Sequence, residues 1–361
     1  MFLEAETSFG LNILQHIPAN ETFAFSPISI ALALSLIHTG AGGETKSQIT
    51  NAILYGANDE QLSQHYSFIS DALRKGENGV TTKIANRVFV KDGTSIKPEF
   101  MTAASKKYNA GAEMVDFSNT AEAANIINKF AEEYTGGNVR ELVEPRYLKD
   151  AVAILANAIH FNADWHDKFE APSSTEQLFY PDARTTRHET FMSDDADMRE
   201  YAAEGNFELI LLPYADKSYK FAIFLPKLKF TLQSALYGFN GHKFQSLIKK
   251  AQKVVTTIKM PKMNIDKEIS LYQVLTKIGV TKMFQPSAEF YGLAEGIRIS
   301  SGVHKSVLRV DEDGTKPAAA TGFKADLEKG FTQTPVNFIA DHPFLFAVLK
   351  DNHPLFMGLY V

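Results

Sequence analysis

The segment AVAILANAIHF, from Ala151 to Phe161, is apolar along almost its whole length, with Asn157 and His160 as the exceptions. A short continuous apolar run of this kind is typical of a β-strand that is covered on both faces. A chain that contains such a strand needs further structure above and below its sheet. The segment therefore predicts a layered fold with a buried central strand.

Other segments predict a mixture of helices and strands in one continuous domain. The stretch after Phe25 predicts a deeply buried helix that is capped by Ser26 and begins at Pro27. Apolar runs on either side of a polar turn predict strand pairs over residues 207–227 and 342–361. No repeat, low-complexity tract or linker divides the sequence. We therefore predict a single α+β domain over residues 1–361.

Composition and charge exclude several classes of partner. The chain has 361 residues, of which 45% are hydrophobic and 22% charged, and its 37 basic and 42 acidic residues give a formal net charge of −5. No run of Lys or Arg is long enough to follow a phosphate backbone, so nucleic acid is not an expected partner. The amphipathic helix predicted over residues 59–75 carries no basic cluster, so a heparin-type activator is not expected. No apolar run approaches the roughly 20 residues that span a bilayer, and no membrane contact is expected.

The absence of cysteine bears on the cellular compartment. Without cysteine the chain has no disulfides and no thiolate metal ligands, which is compatible with a reducing compartment. The first residues carry Glu4 and Glu6 where a secretory signal would need a basic flank and an apolar core. We therefore expect a cytoplasmic protein, or one that is secreted without a standard signal peptide. The single sequon, Asn20-Glu21-Thr22, is then expected to be unglycosylated.

Familiar catalytic and metal-binding motifs are missing from the sequence. It contains no G-x-S-x-G, G-x-x-x-x-G-K-[ST] or H-E-x-x-H pattern. A calcium-loop interpretation of DEDG fails because Arg309 and Ala320 occupy the two ends of the loop, where carboxylates are needed. The glycine-rich segment Gly40–Thr45 follows a predicted helix instead of a strand, which favours a helix stop over a phosphate cradle. We expect a protein that is not an enzyme and that has no metal or other cofactor.

Six motifs, in order along the chain, resemble the serpin family of protease inhibitors. They are FSPISI (Phe25–Ile30), NAIHFNADW (Asn157–Trp165), MPKMNI (Met260–Ile265), GVTKMF (Gly279–Phe284), GVHKSVLRVDEDGTKPAAATG (Gly302–Gly322), and ADHPFLF with PLFMG near the end. The resemblance covers essentially the whole chain and points to the intracellular, ovalbumin-like type, with an invertebrate (nematode) source as the expected origin. It implies about nine helices around three β-sheets, with an exposed reactive-centre loop at about residues 312–336.

The resemblance also implies a function. A serine or cysteine protease attacks the loop of a serpin as a substrate and forms an acyl-enzyme. If the cut loop enters the central sheet before the ester is hydrolysed, the protease stays trapped in a covalent complex, so the native fold is metastable. This chain would then be a monomeric suicide-substrate inhibitor. Its hinge, whose small residues suit insertion, comprises Gly314, Thr315, Lys316, Pro317, Ala318, Ala319, Ala320 and Thr321.

Two polar clusters follow from the same resemblance. The shutter is a hydrogen-bonded group beneath the strands that open, and it corresponds here to Ser26, Ser29, Asn157 and His304. The breach is the place where the loop first enters the sheet, and it corresponds to Trp165, Lys262 and Glu312. Residue types alone leave an alternative for the shutter group, namely a fully hydrogen-bonded buried network with no moving role.

Pro317 departs from the pattern of inhibitory serpins. Proline has no N–H, so an inserted central strand would lose one ladder hydrogen bond, at a cost of roughly 1–3 kcal/mol if the partner carbonyl stays unpaired. Lys316 replaces the usual acid at a position expected to face solvent, whereas the AAATG that follows Pro317 is what inhibitory members carry. The alternative function is a non-inhibitory serpin with a carrier, chaperone or storage role.

The position of the reactive bond depends on how the loop is measured. Counting forward from Glu312 by the family's interval places the bond after Glu328. Counting back from Pro343 points nearer Thr332 or Gln333. The forward count is preferred, because the inserted strand has to reach a fixed distance.

The residue before the cut indicates the class of target protease. Cleavage after Glu328 suits an acid-preferring serine protease, whose pocket offers a cation to the carboxylate. Cleavage one residue later, after Lys329, suits a trypsin-like pocket with a buried acid. A cysteine cathepsin would be guided more by Leu327.

Overall fold

A computed structural model describes residues 2–17, 20–75, 79–315 and 334–361 of the chain. The predicted reactive bond at Glu328 and Lys329 lies outside these residues, as do the hinge positions from Lys316 to Thr321. No helix in the described ranges combines the length and the apolar character that crossing a membrane requires.

Within these ranges the chain forms nine α-helices, as the resemblance implies. They are α1 (Phe2–Leu14), α2 (Pro27–His38), α3 (Gly43–Ile53), α4 (Asp59–Arg74), α5 (Pro98–Tyr108), α6 (Thr120–Thr135), α7 (Leu232–Leu236), α8 (Gly241–Lys250) and α9 (Leu271–Lys277). Helix α2 is buried along its whole length, and the side chain of Ser26 accepts a hydrogen bond from the N–H of Ser29. This contact satisfies one of the free donors at the helix start, so the predicted cap is confirmed.

Fourteen strands of the described residues form two hydrogen-bonded sheets. They are β1 (Phe23–Phe25), β2 (Val80–Lys91), β3 (Gly111–Val115), β4 (Ala153–Ala163), β5 (Thr175–Phe179), β6 (Arg187–Glu204), β7 (Phe207–Pro213), β8 (Tyr219–Pro226), β9 (Gln252–Pro261), β10 (Met263–Ser270), β11 (Ser301–Val310), β12 (Val336–Ile339), β13 (Phe344–Lys350) and β14 (His353–Tyr360). The pairs β7–β8 and β13–β14 confirm the strand pairs predicted over residues 207–227 and 342–361.

The five-stranded sheet has the order β10-β11-β4-β2-β3, with the apolar segment of the opening argument, β4, at its centre. Alternate residues of β4 face two different cores. Leu155 and Ile159 belong to the main core, whereas Ala156 and Ala158 pack into a smaller core that also contains Phe130 of α6. The strand is therefore covered on both faces, as its sequence predicts.

The nine-stranded sheet runs β1-β14-β13-β8-β7-β6-β9-β12, with β5 attached to β6. The long strand β6 shifts its register against β9 between Asp194 and Asp197. Such an irregularity bends a strand, so it divides the sheet into one part around β7, β8, β13 and β14 and another around β5 and β12. Together with the five-stranded sheet, these parts give the α+β architecture that was predicted.

Candidate functional site

The start of the hinge lies at the C-terminal ends of the two central strands, β4 and β11, which we call their upper ends. Strands β4 and β11 are parallel neighbours, paired from Ser301–Ile154 to Val307–His160. Past the last of these pairs, the N–H of Thr315 donates a hydrogen bond of 2.6 Å to the carbonyl oxygen of Ala163, the last residue of β4. The first residues of the hinge therefore already occupy the space next to the top of β4.

Gly314 makes the chain reversal after β11 possible. Its φ of 140° is a conformation that residues with a side chain rarely adopt. An added Cβ would also collide with the carbonyl oxygen of Ala163 and the backbone of Asp164. The reversal is closed by a hydrogen bond of 2.8 Å from the N–H of Asp311 to the carbonyl oxygen of Gly314. Glycine is thus required at this hinge position.

The three predicted breach residues meet around this reversal. The indole N–H of Trp165 donates to the carbonyl oxygen of Asp311 at 2.8 Å, and its ring stacks on Tyr214 with centroids 4.5 Å apart. The carboxylate of Glu312 lies 2.6 Å from the ammonium of Lys262. The turn that leads into the loop is therefore held by one aromatic stack and one ion pair.

The charge of Glu312 is stabilised by its partners. Burial alone raises the pKa of this carboxyl, but the hydrogen bonds from Lys262 and from the hydroxyl of Ser174, 2.6 Å away, outweigh it and hold the pKa below its usual value. Burial raises the pKa of the neighbouring Asp311. The anchored anion at the base of the loop is therefore Glu312.

Sequence reasoning missed Tyr214 and Ser174 as parts of this site. The hydroxyl of Tyr214 lies 2.9 Å from that of Thr315, both side chains are buried, and burial raises the pKa of the Tyr214 phenol. The only sequence signal for Tyr214 is its position directly after the apolar strand β7. Its pairing with a residue about 100 positions later is a tertiary contact with no local pattern.

The four predicted shutter residues also come together. Asn157 of β4 and His304 of β11 are directly opposite in the ladder, and the Nδ1–H of His304 donates to the side-chain oxygen of Asn157. The Nε2 of His304 accepts a hydrogen bond of 3.0 Å from the N–H of Ser26. The side-chain NH2 of Asn157 donates to the hydroxyl of Ser29 at 2.7 Å. The network therefore joins the two central strands to the start of α2.

Sequence reasoning missed two polar residues near the shutter group, of which Asn86 is hydrogen-bonded to it. Asn86 lies opposite Asn157 on β2 and accepts a hydrogen bond from its side-chain NH2. Ser306 of β11 donates to the carbonyl oxygen of Ala24 at 2.7 Å. Asn86, Asn157 and His304 thus form a polar row across the sheet, which we call the cross-strand row.

A cavity of about 660 Å³ lies over the C-terminal ends of β4 and β11, between the sheet and the segment that follows α6, and is lined by His160, Asn162, Arg309 and Thr315 among others. The Nδ1 of His160 and the side-chain oxygen of Asn162 are buried without a hydrogen-bond partner among the described residues. Unpaired buried polar atoms of this kind are costly.

We expect His304 to make stability pH-dependent. Burial lowers its pKa from 6.5 to about 3. Between these two pH values the folded protein therefore binds fewer protons than the unfolded chain. The contribution of His304 to the free energy of unfolding is complete above pH 6.5, and it falls by about 1.4 kcal/mol per pH unit as the pH drops towards 3. Denaturant unfolding between about pH 7 and pH 4 measures this slope.

The variant His304→Gln removes one titrating group and is expected to flatten the slope by one proton. His38 and His160, whose pKa values burial lowers to about 4, contribute equally to both proteins and cancel in the comparison. His242→Gln, at an exposed position, serves as the control and should leave the slope unchanged. Equal slopes for the wild type and His304→Gln would contradict the prediction.

Comparison with known proteins identifies the family. Residues 4–361 match the model of the family described as Serpin (serine protease inhibitor), and the chain belongs to this family. Human neuroserpin is 29% identical, with 98% of this chain and 90% of neuroserpin covered. The crystal structure of Serpin48 from the insect Tenebrio molitor, described as a highly specific serpin, superposes with a TM-score of 0.90 at 28% identity, covering 99% of this chain and 97% of the other.

Human thyroxine-binding globulin, in complex with its hormone, shares the fold at 23% identity, with a TM-score of 0.89 over 99% of this chain and 97% of the other. The family supports protease inhibition in general, and serpins are mostly inhibitors instead of catalytic enzymes. The fold is the metastable serpin fold.

Proposed function

We propose that this chain is a suicide-substrate inhibitor of serine proteases, with cysteine proteases as further targets, and that its cut loop inserts between β4 and β11. The observation that carries the proposal is the hydrogen bond of Thr315 to Ala163 above the last β4–β11 pair. A strand that continues from Thr315 runs antiparallel to both neighbours, because the chain has just reversed direction after β11. Antiparallel pairing is slightly more stable per residue than the parallel pairing that it replaces.

The end of the β4–β11 ladder supports the same mechanism. An entering strand lies in the plane of the sheet beside residues 161–163, past the last β4–β11 pair, and forms backbone hydrogen bonds there. Each hydrogen bond formed there is worth about 1 kcal/mol net. Insertion therefore has a favourable first step that does not break the β4–β11 ladder.

Inhibition depends on whether loop insertion is faster than hydrolysis of the acyl bond to the protease. The attacking serine or cysteine forms an ester or thioester with the loop carbonyl, and the new amino terminus on the other side of the cut leaves. Insertion has to carry the acylated protease away before water hydrolyses this bond. Fast insertion gives a covalent complex, and slow insertion gives a cleaved protein and a free protease.

The second candidate function is a non-inhibitory serpin, and the observation that favours it is Pro317. A lost ladder bond slows insertion, so a larger fraction of the acyl-enzyme is hydrolysed before the protease is trapped. The similarity in fold to thyroxine-binding globulin fits a carrier role of this kind.

A denaturing gel after mixing with a panel of serine and cysteine proteases decides between the two functions. The proposal expects a band at the summed mass of the chain and one protease, which resists boiling in detergent. Pro317→Ala is expected to increase the fraction of that band relative to cleaved protein. Clean loop cleavage without a complex for every protease, in both the wild type and Pro317→Ala, would favour the non-inhibitory role.

We expect the reactive bond to follow Glu328. The separate variants Glu328→Ala and Lys329→Ala are each mixed with a glutamyl-specific and a trypsin-like protease, and intact-mass spectrometry locates the cut. Complex formation with the glutamyl-specific protease should be lost only in Glu328→Ala, because its pocket needs the carboxylate. Loss only in Lys329→Ala, with cleavage after that residue, would show that the loop count is off by one.

A further inference from the structure

A buried carboxylate and two histidines, none of them a hinge, breach or shutter residue, meet where α1, α4 and the start of β14 pack together. Glu6 of α1 is only 2% exposed, yet its side chain contacts the imidazoles of His65 in α4 and His353 at the start of β14. One carboxylate oxygen lies 2.7 Å from the Nε2 of His65, and the other is hydrogen-bonded to the Nδ1 of His353. The three side chains come from segments at the beginning, the first quarter and the end of the chain, and all three ligand atoms lie within 4.8 Å of one another.

We propose that Glu6, His65 and His353 form a binding site for a zinc ion. Two imidazole nitrogens and one carboxylate oxygen are a donor set that zinc uses in sites with three protein ligands and one open position. Calcium and magnesium prefer shells of oxygen atoms, so the two nitrogens select against them. The site was not expected from the sequence, where the histidine spacings match no metal motif.

The charge of the cluster favours a cation. Glu6 is 2% exposed, and each of its two carboxylate oxygens is hydrogen-bonded to an imidazole nitrogen, so the acid lies in a buried pocket between two ring nitrogens. A buried charge is costly unless it is paired, and a divalent cation bound by the same three groups compensates it.

The open position has room and access. A cavity of about 290 Å³ adjoins the cluster and is lined by both histidines together with apolar side chains such as Ile69 and Leu355. Its volume is several times the roughly 30 Å³ that one water occupies in the liquid, so a water can complete a four-coordinate shell. An ion reaches the cluster past His353, whose side chain is more exposed than those of His65 and Glu6.

The ligands are also held in place by packing. The ring of His65 lies between Phe2, at 4.8 Å between centroids, and Tyr66, at 5.1 Å. His353 follows a tight turn in which Asp351 and Asn352 both have positive φ. Bonds of about 2.0–2.2 Å bring tetrahedral ligand atoms to about 3.3 Å from one another, so the His353 side chain rotates slightly towards the ion. Each neutral ring moves its proton to the nitrogen that faces away from the metal.

Isothermal titration of the full chain with zinc chloride tests the proposal. We expect one zinc ion per chain and a higher melting temperature in its presence. His65→Ala and His353→Ala are each expected to weaken binding by more than about tenfold and to remove the shift in melting temperature. His242→Ala is the matched control, because this histidine also contacts a carboxylate, Glu4 at 3.2 Å, but at an exposed position.

Removal of a buried partner can disturb folding, so the metal shell is also measured directly. X-ray absorption of the zinc-loaded wild type should show two imidazole nitrogens and one carboxylate oxygen, and Glu6→Gln should lose binding while its circular dichroism matches the wild type. Equal zinc affinity in the wild type, His65→Ala and His353→Ala would overturn the proposal. A wild type that binds no zinc would overturn it too, and would leave the cluster as a hydrogen-bonded triad.

Discussion

We expect cleavage of the reactive-centre loop to raise the melting temperature of this protein by more than about 10 °C. Under the proposed mechanism, the cut frees the segment after Thr315 to enter between β4 and β11 and to form ladder bonds with both strands. About ten net additional hydrogen bonds at about 1 kcal/mol each contribute roughly 10 kcal/mol, which corresponds to a rise in melting temperature of about 13 °C for a domain of this size, at about 2.1 cal/mol/K of unfolding entropy per residue. The native form is kinetically trapped, so the gain appears only after the cut.

Differential scanning calorimetry of intact and cut protein measures this increase. Mass spectrometry must first show one cut within residues 316–333 and none elsewhere. The control is intact protein mixed with the same protease after inactivation, which should melt as before. An unchanged melting temperature after a single loop cut would show that the loop does not insert, as expected for the non-inhibitory alternative.

Under the proposed mechanism, we expect Thr315→Arg to abolish the covalent complex and to make the chain a substrate of its target protease. Thr315 is 2% exposed, and its hydroxyl lies against that of Tyr214 in the cavity beside the top of β4. An arginine there has to bury a charge without a partner, at a cost of several kcal/mol. The same charge blocks the first step of insertion, so the ester is hydrolysed and the protease leaves active. The complex is expected to fall more than about tenfold, in line with a barrier increase above 1.4 kcal/mol.

The measurement compares residual protease activity and gel bands at increasing ratios of inhibitor to protease. Thr102→Arg, on the exposed face of α5, introduces the same side chain away from the sheet and should inhibit like the wild type. Cleaved Thr315→Arg should also lack the gain in melting temperature. Wild-type yields of complex from Thr315→Arg would refute the role assigned to this position.

Local patterns predicted the parts of the fold that local physics determines. Helix α2 follows from an apolar segment with Ser26 before Pro27, and the double burial of β4 follows from its unbroken apolar run. The shutter and breach residues came from the family motifs, and the structure brings each group together. The sequence alone did not decide between a static and a moving network, because hydrogen-bond partners do not reveal motion.

Contacts between distant segments were not predictable. The register that places His304 opposite Asn157 joins residues about 150 positions apart, and no periodicity encodes it. Glu6 served in the sequence argument only as a charge near the start of the chain, whereas the structure buries it between two histidines. Burial of a charge depends on which elements pack around it, and that information is tertiary.

The cross-strand row gives loop entry two phases. Asn157 lies about 20 Å below Ala163, at roughly 3.3 Å per residue along β4. Under the proposed mechanism, the entering segment first occupies the space beside residues 161–163, which lies past the last β4–β11 pair. It then has to separate the pairs at residues 158–160 before it reaches the buried hydrogen bonds between Asn157, His304 and the start of α2. If the chain inhibits in this way, the rate of insertion depends on hydrogen bonds halfway down the sheet. A substitution that leaves every loop residue unchanged, such as one at Ser29, would then change the fraction of protease that is trapped before the ester is hydrolysed.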